Sequence, residues 1–121
     1  MGGKQLVKLT PQEKESMSIR LAEHLPKIRE LLHVNQKEFA ELSGISVPRL
    51  SAIENHHYTM TWSQLTSILF VCACNLSTKE YVYANKIFDI RALQFFQRKD
   101  ENIPPMTNIC VNERLFKSYQ E

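Results

Sequence analysis

Apolar residues recur at three- and four-residue steps between residues 10 and 32, which is the spacing of one helical face. Thr10, Pro11 and Glu13 form the start signal of this helix, with threonine as N-cap and proline in the first turn. Pro26 predicts a kink or a break, because proline removes a backbone hydrogen bond and clashes with the preceding turn. The apolar stripe consists of Met17, Leu21, Leu25, Ile28 and Leu32.

A pair of shorter helices separated by one tight turn is predicted next. Asn35 and Glu38 form a capping-box pattern that opens the first helix, and Gly44 supplies the left-handed residue that ends it. Ser46 can cap the second helix, whose first turn tolerates Pro48. This arrangement predicts a helix-turn-helix. The residues expected to share its core are Phe39, Ala40, Ile45, Leu50 and Ile53.

The rest of the chain adds further helices, so the predicted fold class is all-α. A capping box at Thr61 opens a helix that is apolar around much of its circumference. Such a helix needs cover on two sides, from the helix-turn-helix core and from either the C-terminal segment or a second subunit. Later helices are predicted from Ser77 to Lys86 and from Asp89 to Arg98, followed by an extended connection, brief β-character at 109–111 and a short helix at 112–119.

Several residues of the central stretch occur in a recognisable order and spacing: Gln36, Phe39-Ala40, Gly44-Ile45-Ser46, Leu50 and Ile53-Glu54-Asn55. Through these residues the chain resembles the Cro/CI-type (xenobiotic-response-element type) helix-turn-helix DNA-binding proteins. The resemblance extends from about Leu25 to Cys74. The resemblance implies a lambda-repressor-like bundle, here with an extra N-terminal helix and a C-terminal helical extension. The family usually has glycine at the positions of His33 and His56, so both are expected in a strained or alternative helix end.

The resemblance also implies that the helix starting at Val47 enters the DNA major groove. With Leu50 and Ile53 facing the core, the leading end of this helix points outward. Arg49 is its only long donor, and its two alternatives are bidentate pairing with guanine or a phosphate contact. The predicted DNA-contacting residues are Gln36, Lys37, Ser46, Val47, Pro48, Arg49, Ser51, Ala52 and Asn55.

Arg29 and Glu54 match family positions that form an ion pair between the first helix and the end of the recognition helix. A structural ion pair is therefore the preferred interpretation. The alternative is that Arg29 faces solvent or a DNA phosphate.

The net charge of the chain bears on how strongly it can attract DNA. The 121 residues carry a net charge of +2, and the segment from Asn35 to Met60 has a net charge of −1. Electrostatic attraction to DNA is therefore weak for one copy, and a dimer would double the phosphate contacts.

The predicted organisation is a flexible arm over 1–9, a DNA-binding domain over 10–75 and a C-terminal extension over 76–121 that packs on the core or forms a dimer interface.

Other classes of protein receive little support. No nucleophile elbow, P-loop, Gly-rich nucleotide loop or metalloprotease motif occurs, so we expect neither an enzyme nor a cofactor. Cys72 and Cys74 lie two residues apart on a predicted helix, pointing about 200° apart, and cannot chelate one metal together. Buried, reduced cysteines are the prediction. No membrane span or signal peptide is apparent, and a cytoplasmic location is expected.

The sequence thus favours a transcriptional regulator, with repressors the commoner case in the family. A homodimer would bind two half-sites of an operator about 34–36 Å apart. The alternative is an antitoxin or another protein-interaction module, whose aromatic C-terminal segment binds a protein partner while the helix-turn-helix autoregulates.

Overall fold

Six α-helices make up the part of the chain that the computed structural model describes, residues 5–106 and Lys117. Within these residues no strand is present, and the all-α prediction is confirmed. The β-character expected at 109–111 and the last short helix, apart from Lys117, lie outside the described residues. The helices are α1 (Pro11–Leu32), α2 (Gln36–Ser43), α3 (Val47–Glu54), α4 (Trp62–Ala73), α5 (Leu76–Ala84) and α6 (Ile90–Phe96).

The capping signals of the sequence mark where the helices begin. Reciprocal capping boxes open α1, α2 and α4, and in α2 the Asn35 side chain accepts a 2.8 Å hydrogen bond from the Glu38 amide. The Ser46 hydroxyl accepts one from the Arg49 amide at 3.3 Å and so caps α3. These bonds satisfy amides that have no partner within the helix. The local sequence alone therefore fixes the start of the helix-turn-helix.

Helix α1 is continuous over 22 residues, and the break considered at Pro26 is absent. Pro26 lies on the exposed side, while Leu25 and Ile28 on the opposite side are fully buried. A proline inside a helix costs about 3 kcal/mol, which the burial of several large apolar side chains along α1 can offset. Tertiary packing here overrides a local breaker.

The core is shared by the helix-turn-helix and the C-terminal helices. Phe39 of α2 and Leu65 of α4 are fully buried in the same cluster that Val82 of α5 and Ala92 of α6 join. The second side of α4 is thus covered in part by the C-terminal helices. This is the first of the two predicted alternatives, the other being cover by a second subunit. The boundary proposed at residue 75 stays a prediction, and the residues on its two sides pack together.

Residues 5–9 pair with the segment that follows α6, so the flexible arm expected over 1–9 does not hold for them. The Val7 amide donates to the Lys99 carbonyl and the Glu101 amide to the Gln5 carbonyl, both at 3.0 Å. Val7 is also buried. Burial of an apolar residue with its backbone hydrogen bonds satisfied anchors this segment. Residues 1–4 lie outside the described part.

The ends of α1 and α3 confirm the expectation for the two histidines. His33 has φ 58° and His56 has φ 61°, both in the left-handed region that favours glycine. Gly44 ends α2 with φ 74°, and a Cβ at that position would meet no atom within 4 Å. The requirement for glycine at Gly44 is therefore conformational, since the space for a side chain is open.

Exchanging glycine and side chains at these positions should change stability in opposite directions. Gly44→Ala should lower the free energy of unfolding by about 1 kcal/mol, because alanine is strained at positive φ. His33→Gly should raise it by up to about 1 kcal/mol for the same reason. Urea unfolding measures both. Glu23→Gly, at an exposed helical position of α1, is the matched control and should destabilise; a His33→Gly variant that behaves like it would contradict the prediction.

Candidate nucleic-acid interface

The leading end of α3 stands out from the molecular surface while its opposite side is fixed in the core. Leu50 and Ile53 are fully buried, and one turn earlier Val47, Pro48 and Arg49 are exposed. The helical period places Leu50 and Ile53, three residues apart, on one side and Pro48 and Arg49 away from it. Val47 lies three residues before Leu50 and is still 36% exposed, because it is the first residue of the helix. An eight-residue helix presented in this way offers its first turn to a partner.

Every residue predicted to contact DNA lies at least partly at the surface. The structure brings α2 and α3 residues of this set onto adjoining elements, on either side of the Gly44 turn. Whether they touch DNA stays a prediction. The exposed members are Lys37, Ser46, Val47, Pro48, Arg49 and Asn55, and the half-buried members are Gln36, Ser51 and Ala52.

Arg29 and Glu54 form the ion pair that the resemblance implies. Arg29 Nη2 donates to Glu54 Oε1 at 2.8 Å and Arg29 Nε donates to Glu54 Oε2 at 2.9 Å. The pair is bidentate and ties the end of α1 to the end of α3. The hydrogen bonds that Arg29 donates to Glu54 raise the pKa of Arg29 above its ordinary value, so the guanidinium stays charged.

Gln36 joins this ion pair instead of being fully available to DNA. Its amide Nε2 donates to Glu54 Oε1 at 3.4 Å, so Glu54 accepts from both α1 and α2. Gln36 is predicted to contact DNA, and that contact requires its amide to share its donors with Glu54. At the same end of α3, Asn55 Nδ2 donates to the Ser51 hydroxyl at 3.3 Å.

Arg49 packs on the ring of Tyr58, a contact that sequence reasoning did not predict. The guanidinium carbon lies 3.6 Å from the ring centroid, which is a cation–π contact. Tyr58 lies in the loop between α3 and α4. The sole sequence signal is an aromatic residue nine positions after an arginine, which is too unspecific to indicate a contact.

The charge of the surface is more favourable than the segment total of −1 indicates. The negative charge of Glu54 is neutralised by Arg29, which lies outside the segment. Lys37 and Arg49 then stand against Glu38 and Glu41, so the segment together with Arg29 is balanced. Glu38 is also engaged locally, since its carboxylate accepts from the Asn35 amide at 3.0 Å.

Of the two cysteines in the described part of the chain, one is buried and one is exposed. Cys72 is buried, and this burial raises the pKa of its thiol to about 12, so the thiol is protonated at neutral pH. Cys74 is exposed just beyond α4, so the prediction of a buried residue was wrong there, while Cys110 lies outside the described residues. In the described part of the chain no three histidine, cysteine or acidic side chains cluster closely enough to hold a metal.

Comparison with known proteins identifies the central segment. Residues 27–61 match the family model described as Helix-turn-helix. The match covers less than a third of the 121-residue chain, from the last turns of α1 to the start of α4. Searches of curated proteins and of solved structures return no match. Among the described residues, no helix is long and apolar enough to cross a membrane.

Proposed function

Because residues 27–61 form a helix-turn-helix of the Cro/CI type, a DNA-binding unit, we propose that this protein is a sequence-specific transcriptional regulator that binds double-stranded DNA. In this proposal α3 enters the major groove with Val47 leading. The groove of B-DNA is about 12 Å wide and admits an α-helix of ordinary diameter. Repression is proposed on the resemblance alone.

One observation carries the proposal: one side of α3 is fixed in the core while its first turn is exposed. Leu50 and Ile53 hold it in the core, and the Arg29–Glu54 ion pair fixes its C-terminal end. A recognition helix needs this rigidity, because loosely held side chains lose conformational entropy on binding. The exposed first turn is left to contact the base edges.

The chemistry of the exposed side chains indicates their roles. Arg49 can donate two hydrogen bonds to O6 and N7 of guanine, or one or two to a phosphate. Val47, Pro48 and Ala52 offer apolar contact, for which a thymine methyl group is the partner in the major groove. In this proposal Lys37 at the start of α2 and Asn55 after α3 contact the phosphates that flank the groove.

The experiment that tests this function is selection of bound duplexes from a random-sequence pool. We expect enrichment of a site with two-fold symmetry, whose half-sites lie about 10–10.5 base pairs apart. Val47→Glu is the control, because it adds a negative charge to an exposed residue of the leading turn and should abolish enrichment without unfolding the chain. Failure of the wild-type protein to enrich any sequence would refute the proposed function.

The proposed regulator is a homodimer, and a groove between α4, α5 and α6 supports this part of the proposal. The groove has a volume of about 410 Å³, and Phe70 at its edge is 71% exposed. Exposed apolar surface of this kind marks interaction sites. A second copy, related by two-fold symmetry, would place its own Phe70 against this groove. The apolar lining includes Leu69, Phe70, Ala73, Val82, Phe88 and Phe96.

Phe70→Asp should convert the homodimer into a monomer, because it places a charge in the apolar subunit interface. Sedimentation velocity of wild type and variant measures the change. The monomer itself should remain folded, since Phe70 contributes little to the core. Ile19→Asp is the matched control, as it alters an exposed apolar residue outside the groove and should leave the dimer intact. A Phe70→Asp variant that stays dimeric would exclude this face as the interface.

A second candidate function, a protein-interaction module such as an antitoxin, is favoured by the same groove. In that case the groove would bind a different protein, and the wild type would sediment as a monomer. The product of a neighbouring gene would then be toxic, and this protein would relieve the toxicity while Phe70→Asp would not. A dimer without such an effect favours the regulator alone.

A further inference from the structure

The contact between Arg49 and Tyr58 has a defined geometry. A distance of 3.6 Å from the guanidinium carbon to the ring centroid is van der Waals contact between two flat groups. Only planes that lie close to parallel allow this distance, because an edge-on guanidinium would hold its central carbon farther away. In a parallel stack the N–H donors of Arg49 point sideways, away from the ring, and remain available to an acceptor.

The ring of Tyr58 is itself held in place by the loop that follows α3. His56 reverses the chain through its left-handed conformation, and the His57 amide donates to the Ala52 carbonyl at 2.8 Å. Tyr58 is half-buried and packs against the hydrophobic core, and Met60 beyond it is buried. The Tyr58 side chain therefore contacts both the core cluster and Arg49.

We propose that Tyr58 is a positioning residue that holds Arg49 with its donor edge toward the major groove, ready for bidentate pairing with guanine. The inference rests on the proposed function and specifies how α3 recognises one base pair. An arginine free in solvent loses rotamer entropy when it is fixed, and the stack removes part of this cost before DNA arrives. Stacking on the ring leaves the hydrogen-bonding edge of the guanidinium unused, whereas a salt bridge to a carboxylate would occupy it.

The stack with Arg49 also limits what Tyr58 itself can contact on DNA. The ring face that could stack on a base is covered by Arg49. A guanidinium with its flat face on an aromatic ring presents a rigid planar fork, whereas lysine at the same position would not. The arrangement thus favours the guanine contact of Arg49 over a loosely directed phosphate contact.

A double-mutant cycle on DNA affinity tests this inference. Tyr58→Leu and Tyr58→Phe are made in the wild type and in the Arg49→Ala background, and fluorescence anisotropy gives the affinity for a selected operator. Tyr58→Leu should weaken operator binding about two- to fivefold, the range expected for an exposed cation–π contact. Tyr58→Phe should restore wild-type affinity, because the ring is kept. In the Arg49→Ala background Tyr58→Leu should have no further effect.

The base preference separates positioning from a merely structural role. Tyr58→Leu should relax the preference for guanine at the pair that Arg49 contacts, while its affinity for unrelated duplexes stays unchanged. An equal loss in both backgrounds, or a gain in operator affinity, would overturn the inference. A wild type that selects no operator would refute the proposed function and this inference with it, a result distinct from a selective wild type with uncoupled variants. Thermal unfolding of each variant verifies its fold.

Discussion

Replacing Arg29 with alanine is expected to lower the free energy of unfolding by about 3–5 kcal/mol. The Glu54 side chain is only 8% exposed, and its two oxygens accept from Arg29 at 2.8 and 2.9 Å. Among the described residues, removing Arg29 leaves a largely buried carboxylate with the 3.4 Å hydrogen bond from Gln36 alone. A stranded charge of this kind is among the most destabilising results of a single substitution. Thermal and urea unfolding measure the loss.

The double variant Arg29→Met with Glu54→Met is the informative control. It removes both charges together, so it should cost far less than Arg29→Ala and can be close to neutral. Lys27→Ala breaks an exposed pair with Glu30 and should cost at most about 0.5 kcal/mol. Unchanged thermal stability of Arg29→Ala would show that the guanidinium does not hold α3.

The pH dependence of this contribution follows from the raised pKa of Arg29. Its pKa is higher in the folded state than the ordinary value of arginine, chiefly because of the hydrogen bond to Glu54. A raised pKa stabilises the fold at every pH below the ordinary value, and the stabilisation is lost only as the pH rises through the folded value. The loss caused by Arg29→Ala should therefore be as large at pH 9 as at pH 7.

Arg49→Ala is expected to weaken operator binding by about 1–3 kcal/mol, which corresponds to about five- to 150-fold. Arg49 has the long hydrogen-bond-donating side chain on the exposed turn of α3, and this side chain stacks on Tyr58. Its loss should relax the preference at one base pair in each half-site. Fluorescence anisotropy with the selected operator and with a set of single-base variants measures both effects.

Lys37→Ala is the matched comparison for this prediction. Lys37 is exposed at the start of α2, where a phosphate contact is expected. Its loss should weaken binding to all duplexes alike and reduce the salt dependence by about one unit of slope for each subunit bound. If Arg49→Ala shows this uniform pattern instead, Arg49 binds a phosphate and the guanine assignment is wrong.

The parts of the fold that local chemistry determines could be predicted from the sequence. The Asn35 and Ser46 caps and the Gly44 turn each depend on a few neighbouring residues, and the structure contains them as predicted. The Arg29–Glu54 pair, 25 residues apart, came only from the resemblance to a known family. No periodicity or spacing in a single sequence indicates such a pair.

The misses have one cause in common, which is tertiary packing that no local pattern records. Val7 pairs with Lys99, more than 90 residues away, so an apparently featureless arm is anchored. Pro26 stays inside a helix because packing outweighs its local cost. Tyr58 reaches Arg49 only through the chain reversal at His56, whose positive φ was expected but whose consequence for the loop was not.

The most direct test of DNA recognition is a titration of the wild-type protein with its selected operator and with a scrambled duplex of equal length, repeated across a salt series. We predict an operator affinity at least about a thousandfold above that for the scrambled duplex, with binding that weakens steeply as salt rises. Equal affinity for the two duplexes, or no binding to either at low salt, would contradict the account. The exposed turn of α3 would then have to serve a partner other than DNA.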